Sequence, residues 1–481
     1  MEPKKIVIYT RESQTPFHCA LARKLEKAYP EAKIVIASFF WHSIEIAQRS
    51  GFATFYLPAA IRNAATAPIS DRRIAEIDKY CAEKFLGLNA MLLTERFLPK
   101  TASRVQEFLV SHLTVLDDLV DEQTLSISIM YDHFFYLAAG MMAFMKGGAH
   151  FAFLGSGVPG ERVVGIKTPN VCWQNRHSGE DPAKILEEAK HEITKPPDHR
   201  IEYMKPPQRP SSRRVIQHVE MALRRRRCAR KDFMSGSYFP TNQRRWPFDQ
   251  ILNRTRALFR RKRNEKWDIS SVDDLRDLKS PAVLMALHFE PEAVIFMYSP
   301  RLRDQIEACR LVAQTLPLGY NLLVKENPKM AGRRSPGYYQ NLKKIPNVLL
   351  VAPTVPSLTL IDISSAVVSL AGTVTLEARL RGKPAFCLGK PPFFKLATAS
   401  GHRILNEISG FLGGDKPFDS EFEAAWAEWI AASFPARGGD YSYDPSVGRR
   451  VFDHSEKNVN AYYQFITQTL IDDVGTISVS L

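Results

Sequence analysis

Between Ser365 and Phe386 the chain reads Ser-Ala-Val-Val-Ser-Leu-Ala-Gly-Thr-Val-Thr-Leu-Glu-Ala-Arg-Leu-Arg-Gly-Lys-Pro-Ala-Phe. A β-branched run ending at Ala371 and then giving way to helical spacing predicts a strand that turns into a helix. Gly372 lets the backbone approach a ligand closely, and Thr373 stands at the expected N-cap of a helix whose free N–H groups and dipole favour an anion. Glu377, about one turn inside, can accept hydrogen bonds from the two ribose hydroxyls of a nucleotide whose phosphates rest on the helix start. The same residues equally suit an ordinary βα turn with Glu377 on a solvated helix face.

Two more strand ends carry reactive side chains. His288-Phe-Glu-Pro-Glu292 follows one β-branched run and Lys325-Glu-Asn-Pro328 follows the next. There His288 and Lys325 can neutralise phosphate charge, Asn327 can donate a hydrogen bond, and a carboxylate such as Glu290 can act as base or hold an acceptor hydroxyl. The alternative is a pair of polar loops. In the N-terminal third, Asp132 and His133 follow a buried run at its carboxyl end, as a helix cap with a satisfied histidine also would.

These residues need a scaffold that brings strand ends together. After Pro281, strands are predicted at Ala282–His288, Asn321–Lys325, Asn347–Val351, Ala366–Leu370 and Pro384–Leu388, with helices between them, the last three at Tyr338–Lys344, Ser357–Ile363 and Val374–Arg381. The alternation is that of a doubly wound parallel sheet, which binds ligands outside the carboxyl ends of its strands. The first third alternates similarly, with strands at Lys5–Tyr9, Ala32–Phe39, Ala53–Leu57, Leu125–Met130 and His150–Leu154. Ile127–Met145 is nearly long and apolar enough to span a membrane, but Asp132 and His133 interrupt it, so a buried strand and helix are expected.

The chain has 481 residues, 45% of them apolar and 24% charged, the composition of a soluble globular protein of at least two domains. Its six cysteines are scattered with no C-x-x-C pair, so neither a metal site nor a disulfide framework is expected. The N-terminus lacks the core of a secretion signal, and a cytoplasmic location is expected. The net charge is +14, and Lys205–Lys266 alone holds nineteen Lys and Arg against four acids. Apolar residues recur at helical intervals within Arg213–Lys231 and Gln250–Arg263, so this segment is read as two basic amphipathic helices that hold the protein at an anionic membrane surface. A solvated linker is the alternative, and nucleic acid is disfavoured by the scarcity of stacking aromatics.

The stretch Leu287–Gly389 resembles the capsule polysaccharide biosynthesis glycosyltransferases, the family that contains the bacterial capsular Kdo transferases. The matching words are L-H-F-E-P-E, a helix bearing Gln305 that ends in L-P-L-G, V-K-E-N-P, a Tyr-Tyr-x-x-Leu helix, P-N-V-L-L-V, and A-G-T-V-T-L-E-A followed by G-K-P. They cover about a fifth of the chain. The resemblance implies two Rossmann-like lobes facing a cleft (a GT-B-like α/β fold) joined by the basic, partly helical linker region. The expected division is an acceptor-side lobe at 1–193, the linker at 194–280, a donor-binding lobe at 281–400 and a helical extension at 401–481. It implies transfer of a sugar, Kdo being one candidate, from a nucleotide donor, CMP-linked in that case, to a capsular or lipid-linked glycan. No other cofactor is expected. Lys325, Asn327, Gly372, Thr373 and Glu377 would bind the donor, and His288, Glu290, Asp132 and His133 are the candidate catalytic groups. Where the family often has His-Pro, this chain has Asn327-Pro328. A nucleotide-sugar epimerase and a non-catalytic glycan-binding subunit of an export complex stay open as alternatives.

Overall fold

A computed structural model describes residues 2–64, 66–95, 101–128, 133–155, 162–169, 171–174, 179–194, 267–290, 293–330, 332–400, 404–414, 421–438, 440–444 and 449–472. The first sheet comprises β1 (Lys5–Thr10), β2 (Lys33–Ser38), β3 (Ala53–Tyr56), β4 (Thr124–Ile127), β5 (Ala149–Gly155), β6 (Arg162–Thr168) and β7 (Val171–Cys172). Seven helices fall between its strands: α1 (Thr15–Ala28), α2 (Trp41–Arg49), α3 (Leu57–Ala64), α4 (Asp71–Lys84), α5 (Leu88–Leu92), α6 (Ala102–Leu119) and α7 (Phe134–Met145). After α8 (Pro182–Thr194) comes the second sheet: β8 (Ala282–Ala286), β9 (Asn321–Lys325), β10 (Val348–Val351), β11 (Ala366–Ser369), β12 (Ala385–Cys387) and β13 (Ala399–Ser400). Its helices are α9 (Ala293–Tyr298), α10 (Gln305–Thr315), α11 (Tyr338–Lys343), α12 (Ser357–Ile363) and α13 (Val374–Leu380).

Both sheets are doubly wound. The second runs β10-β9-β8-β11-β12-β13, parallel throughout, and in the order of its own strands this is 3-2-1-4-5-6. The first runs β3-β2-β1-β4-β5 in parallel, reversing direction of growth between β1 and β4. The chain therefore has two Rossmann-like lobes, as the resemblance implied. Strands covered on both faces must be apolar along their whole length, and Ile6-Val7-Ile8-Tyr9, Ala282-Val283-Leu284-Met285 and Ala366-Val367-Val368 are buried residue by residue.

The chain returns to its first sheet at the end. After α14 (Ile404–Leu412) and α15 (Phe422–Ala431), β14 (Ser433–Pro435) pairs antiparallel with β6; a hairpin of β15 (Asp440–Asp444) and β16 (Arg449–Phe452) precedes α16 (Glu456–Asp472). Arg162 Nε donates to Ser433 Oγ at 2.8 Å, and Tyr462 of α16 packs its ring 4.8 Å from those of Phe17 and Phe153. Gly165 is required here, because a Cβ on it would lie 2.2 Å from the Phe465 ring. The stretch expected as a helical extension thus holds strands as well as helices.

Other differences from the sequence reading are local. Strand β8 ends at Ala286 rather than His288, freeing Leu287–Glu290 to form a loop. Strands β6, β7 and β13 went unread because they are short or antiparallel additions at sheet edges, outside the βα rhythm. Leu57 opens α3 rather than closing β3. Ile127 ends β4 and α7 begins at Phe134; among the described residues no helix is long and apolar enough to cross a membrane. The basic segments 213–231 and 250–263 lie outside the described residues.

Candidate functional site

The reversal of strand order in the second sheet lies between β8 and β11, where a doubly wound sheet opens its crevice. His288 follows β8 and Gly372 follows β11, and the fold brings them together. His288 is buried, with Nε2 3.1 Å from Ser369 Oγ and accepting the Ala371 N–H at 3.3 Å. An Nε2 that accepts a backbone N–H has its lone pair there, which places the ring hydrogen on Nδ1. Gly372 donates its N–H to Ser369 Oγ at 3.1 Å. A Cβ on Gly372 would lie 2.7 Å from that oxygen and 3.3 Å from His288 Nε2, so the turn is too close for any side chain.

Thr373 stands at the N-cap position as expected, but without a side-chain cap. Its backbone is helical (φ −61°, ψ −13°) and its side chain makes no capping hydrogen bond; Thr375 Oγ1 instead donates back to the Gly372 carbonyl at 2.9 Å. With the Ala371 and Gly372 N–H groups taken by His288 and Ser369, the turn has fewer donors for a phosphate than its sequence suggested.

Lys325 ends β9, next to β8, and is 5% exposed. Its Nζ donates only weakly to the carbonyls of Glu326 and Pro353, both at 3.4 Å. Burial pulls its pKa down to about 8, against the opposing pull of the Glu326 and Glu377 carboxylates. Half-buried Glu377 is thus within electrostatic reach of Lys325, and residues from two strand ends share one field. Asn327 is half-buried, its backbone N–H bound to Glu326 Oε1 at 2.6 Å.

Glu290 does not stand free. Its Oε1 accepts from Gln305 Nε2 and its Oε2 lies 2.7 Å from Arg334 Nη1. Each oxygen keeps a further lone pair, so Glu290 can take a proton while both partners stay in place. Glu326, buried beside it, is held by the Arg334 fork at 2.9 Å on each oxygen and by Tyr339 OH at 2.9 Å. Burial works to lower the Arg334 pKa, but the hydrogen bonds and charge of Glu326 overcome it and hold the guanidinium above its ordinary value. Arg334 and Ser369 escaped the sequence reading. Arg334 sits in the aperiodic loop Gly332-Arg333-Arg334-Ser335, and Ser369 is indistinguishable in sequence from any other small strand residue.

In the first lobe, Asp132 lies outside the described residues. His133 is buried at the start of α7, its Nδ1 3.2 Å from both oxygens of Glu95, an equally buried carboxylate that also accepts the Phe134 N–H at 3.3 Å. The sequence offered no link between residues 38 positions apart. Three other buried histidines are structural: burial lowers His18 and His150 to about 3 and His112 to about 4, so all are neutral. Among the described residues, no group of three or more His, Cys, Asp or Glu is placed to hold a metal ion.

Residues 196–402 match the family described as capsule polysaccharide biosynthesis protein, and the resemblance carried by the motifs is borne out over that stretch. No curated protein matches the chain. Among solved structures, the chain is similar to the β-Kdo 2,7 transferase of Thermosulfurimonas dismutans KpsC at 12% identity, over 96% of this chain and 98% of that one, with a TM-score of 0.33. It is also similar to the β-Kdo 2,4 transferase of the same KpsC at 12% identity, over 72% of this chain and 86% of that one, with a TM-score of 0.31.

Proposed function

We propose, taking the capsule polysaccharide biosynthesis match of residues 196–402 as premise, that the protein transfers a sugar from a nucleotide donor to a capsular or other surface polysaccharide or its lipid-linked precursor. The observation that carries this reading is the meeting of His288 with the Ser369–Gly372 turn where strand order reverses, with Lys325 at the adjoining strand end. The glycine lets the turn pack directly on His288 and Ser369, and a buried ammonium at the adjoining strand end supplies a counter-charge for phosphate.

In this reading Lys325 and Asn327 take the donor phosphate, Gly372 and Thr373 border it, and Glu377 accepts the ribose hydroxyls. The engagement of the Ala371 and Gly372 N–H groups favours Lys325 as the main phosphate contact. Glu290 holds the reacting hydroxyl or takes its proton, and His288 sets the turn and presents its Nδ1–H side. The first lobe, 1–193, receives the acceptor, with Asp132 and the Glu95-oriented His133 on its side of the reaction. The arginine-rich 194–280 stretch keeps the enzyme at the inner face of the cytoplasmic membrane, where lipid-linked glycans are found.

The test is incubation with CMP-, UDP- and GDP-linked sugars and a lipid-linked glycan. Sugar added to the glycan is the expected result. A changed nucleotide sugar without glycan would replace the reading by epimerisation, and saturable glycan binding without turnover would replace it by a binding subunit.

A further inference from the structure

The loop between β8 and α9 is held from outside by two side chains that the reading above does not use. Gln305, at the start of α10, accepts the His288 N–H at 2.7 Å, donates to the His288 carbonyl at 3.3 Å, and donates to Glu290 Oε1. Arg334 comes from the opposite side: Nη2 donates to the His288 carbonyl at 2.7 Å and Nη1 lies 2.7 Å from Glu290 Oε2. Arg334 is itself fixed. Its side chain is 1% exposed, its guanidinium carbon lies 4.6 Å from the centre of the Tyr338 ring, and its fork grips Glu326, which Tyr339 and the Asn327 N–H hold in turn.

We infer that Arg334 is a positioning residue that, together with Gln305, clamps the His288 backbone and the Glu290 carboxylate into one fixed geometry across the crevice. Gln305 hydrogen-bonds both groups, and Arg334 hydrogen-bonds the His288 carbonyl and pairs by charge with Glu290, its Nη1 lying close without hydrogen-bond alignment, so neither group can shift without loosening contacts to both side chains. A planar five-donor fork is suited to this as a lysine is not, because it must meet a carbonyl, one carboxylate bidentately and a second carboxylate at once. Glu326 also follows Lys325 directly, so the clamp spans the ends of β8 and β9 and couples the catalytic loop to the donor-side lysine. Misplacement of reacting groups by about 1 Å can reduce rate by a factor of about a hundred with little effect on binding.

The inference rests on the transferase reading, and the experiment separates the two. Arg334→Lys and Gln305→Met are made in the full chain labelled with ¹⁵N-histidine, the His288 signal being identified by its loss in His288→Gln. In the parent, His288 Nε2 is expected to show the unprotonated, acceptor type of shift. In both variants that signal should move or broaden while those of His18, His112 and His150 stay in place. With the donor and acceptor found above, kcat should fall by about a hundredfold and donor KM should change by less than about threefold. A lowered melting temperature with an unmoved His288 signal and unchanged kcat would overturn the inference and leave Arg334 a stabilising residue only. Should Arg334→Lys fail to fold, Gln305→Met reads the same clamp from the other side. If the parent transfers no sugar, the transferase reading fails, but the His288 signal still decides whether the clamp exists.

Discussion

Nε2 of His288 lies 3.1 Å from Oγ of Ser369, so the first and fourth strands of the second lobe are joined by side chains at the very place where strand order reverses. Gly372 has to pass this pair with no side chain of its own. Gly372→Ala would force its Cβ to within 2.7 Å of the Ser369 oxygen, an overpacking that typically costs about 1–3 kcal/mol. We expect weaker donor binding, by at least about tenfold at 1.4 kcal/mol per decade, together with a lowered urea midpoint. Ser369→Ala added to it should recover part of both losses, and a double-mutant cycle by calorimetry measures the coupling. Purely additive effects would mean that the two residues do not share one constraint.

Lys325 supplies a pH dependence of known sign. Its pKa in the fold is about 8, below the ordinary 10.5, chiefly through burial. Donor affinity should therefore fall as pH rises through about 8 and the ammonium is lost. Stability moves the other way: between those two values the unfolded chain binds the extra proton, so the contribution of this group to stability increases with pH across that window. Lys325→Met should remove the alkaline fall in binding measured by titration calorimetry. Glu377→Ala should weaken binding by about 1.5–3 kcal/mol through loss of charge-assisted hydrogen bonds. It should also move the alkaline fall to lower pH, since Glu377 holds the Lys325 pKa up. An unmoved profile would separate the two side chains.

For His288 the structure divides two effects that a single alanine variant would merge. His288→Ala leaves the buried Ala371 N–H without its acceptor, a loss of about 1–3 kcal/mol in stability. As a group acting in turnover it should also lower the rate at least about a hundredfold. His288→Asn can return an acceptor oxygen to the turn. Denaturation curves should recover in His288→Asn while single-turnover rates stay low; recovery of both would make His288 a brace for the turn and nothing more.

The basic segment is predicted from charge alone. Replacing Arg224, Arg225, Arg226 and Arg227 with Gln removes four charges, each contributing about 1 kcal/mol at an anionic surface. Sedimentation with phosphatidylglycerol vesicles should drop sharply, with turnover on a soluble acceptor retained. Equal sedimentation of variant and parent would make the segment a linker.

The second sheet was legible because a parallel sheet buried on both faces leaves little freedom in composition: Asn321–Lys325 was read to the residue, and Ala366 and Tyr338 began their elements as expected. What could not be read was whatever depends on pairing across long separations. β14 is three residues long and meets β6 some 270 positions away, which no local period encodes. The site divided in the same manner. Residues at strand ends, His288, Lys325 and Gly372, announced themselves through position, because strand ends of such sheets converge whatever the sequence between them. Arg334 reaches the site from an aperiodic loop, Glu95 reaches His133 in the first lobe from another, and only the folded chain reveals what they touch. Thr373 was read correctly as the N-cap residue, but that Ser369 and Thr375 would bond the turn in its place was not legible.

The return of the chain to its first sheet has a consequence for how the protein is made. Until Ser433–Pro435 emerges from the ribosome, the Arg162–Val164 end of β6, beyond the reach of its short partner β7, lacks its pairing with β14, and the face of the sheet that receives Tyr462 and Phe465 lies open. At roughly 5–20 residues per second, the interval between synthesis of β6 and of β14 is on the order of a quarter of a minute to a minute. Throughout that interval the nascent chain presents a bare strand edge beside aromatic surface, a combination that invites chain-to-chain pairing. The first lobe is begun first and closed last.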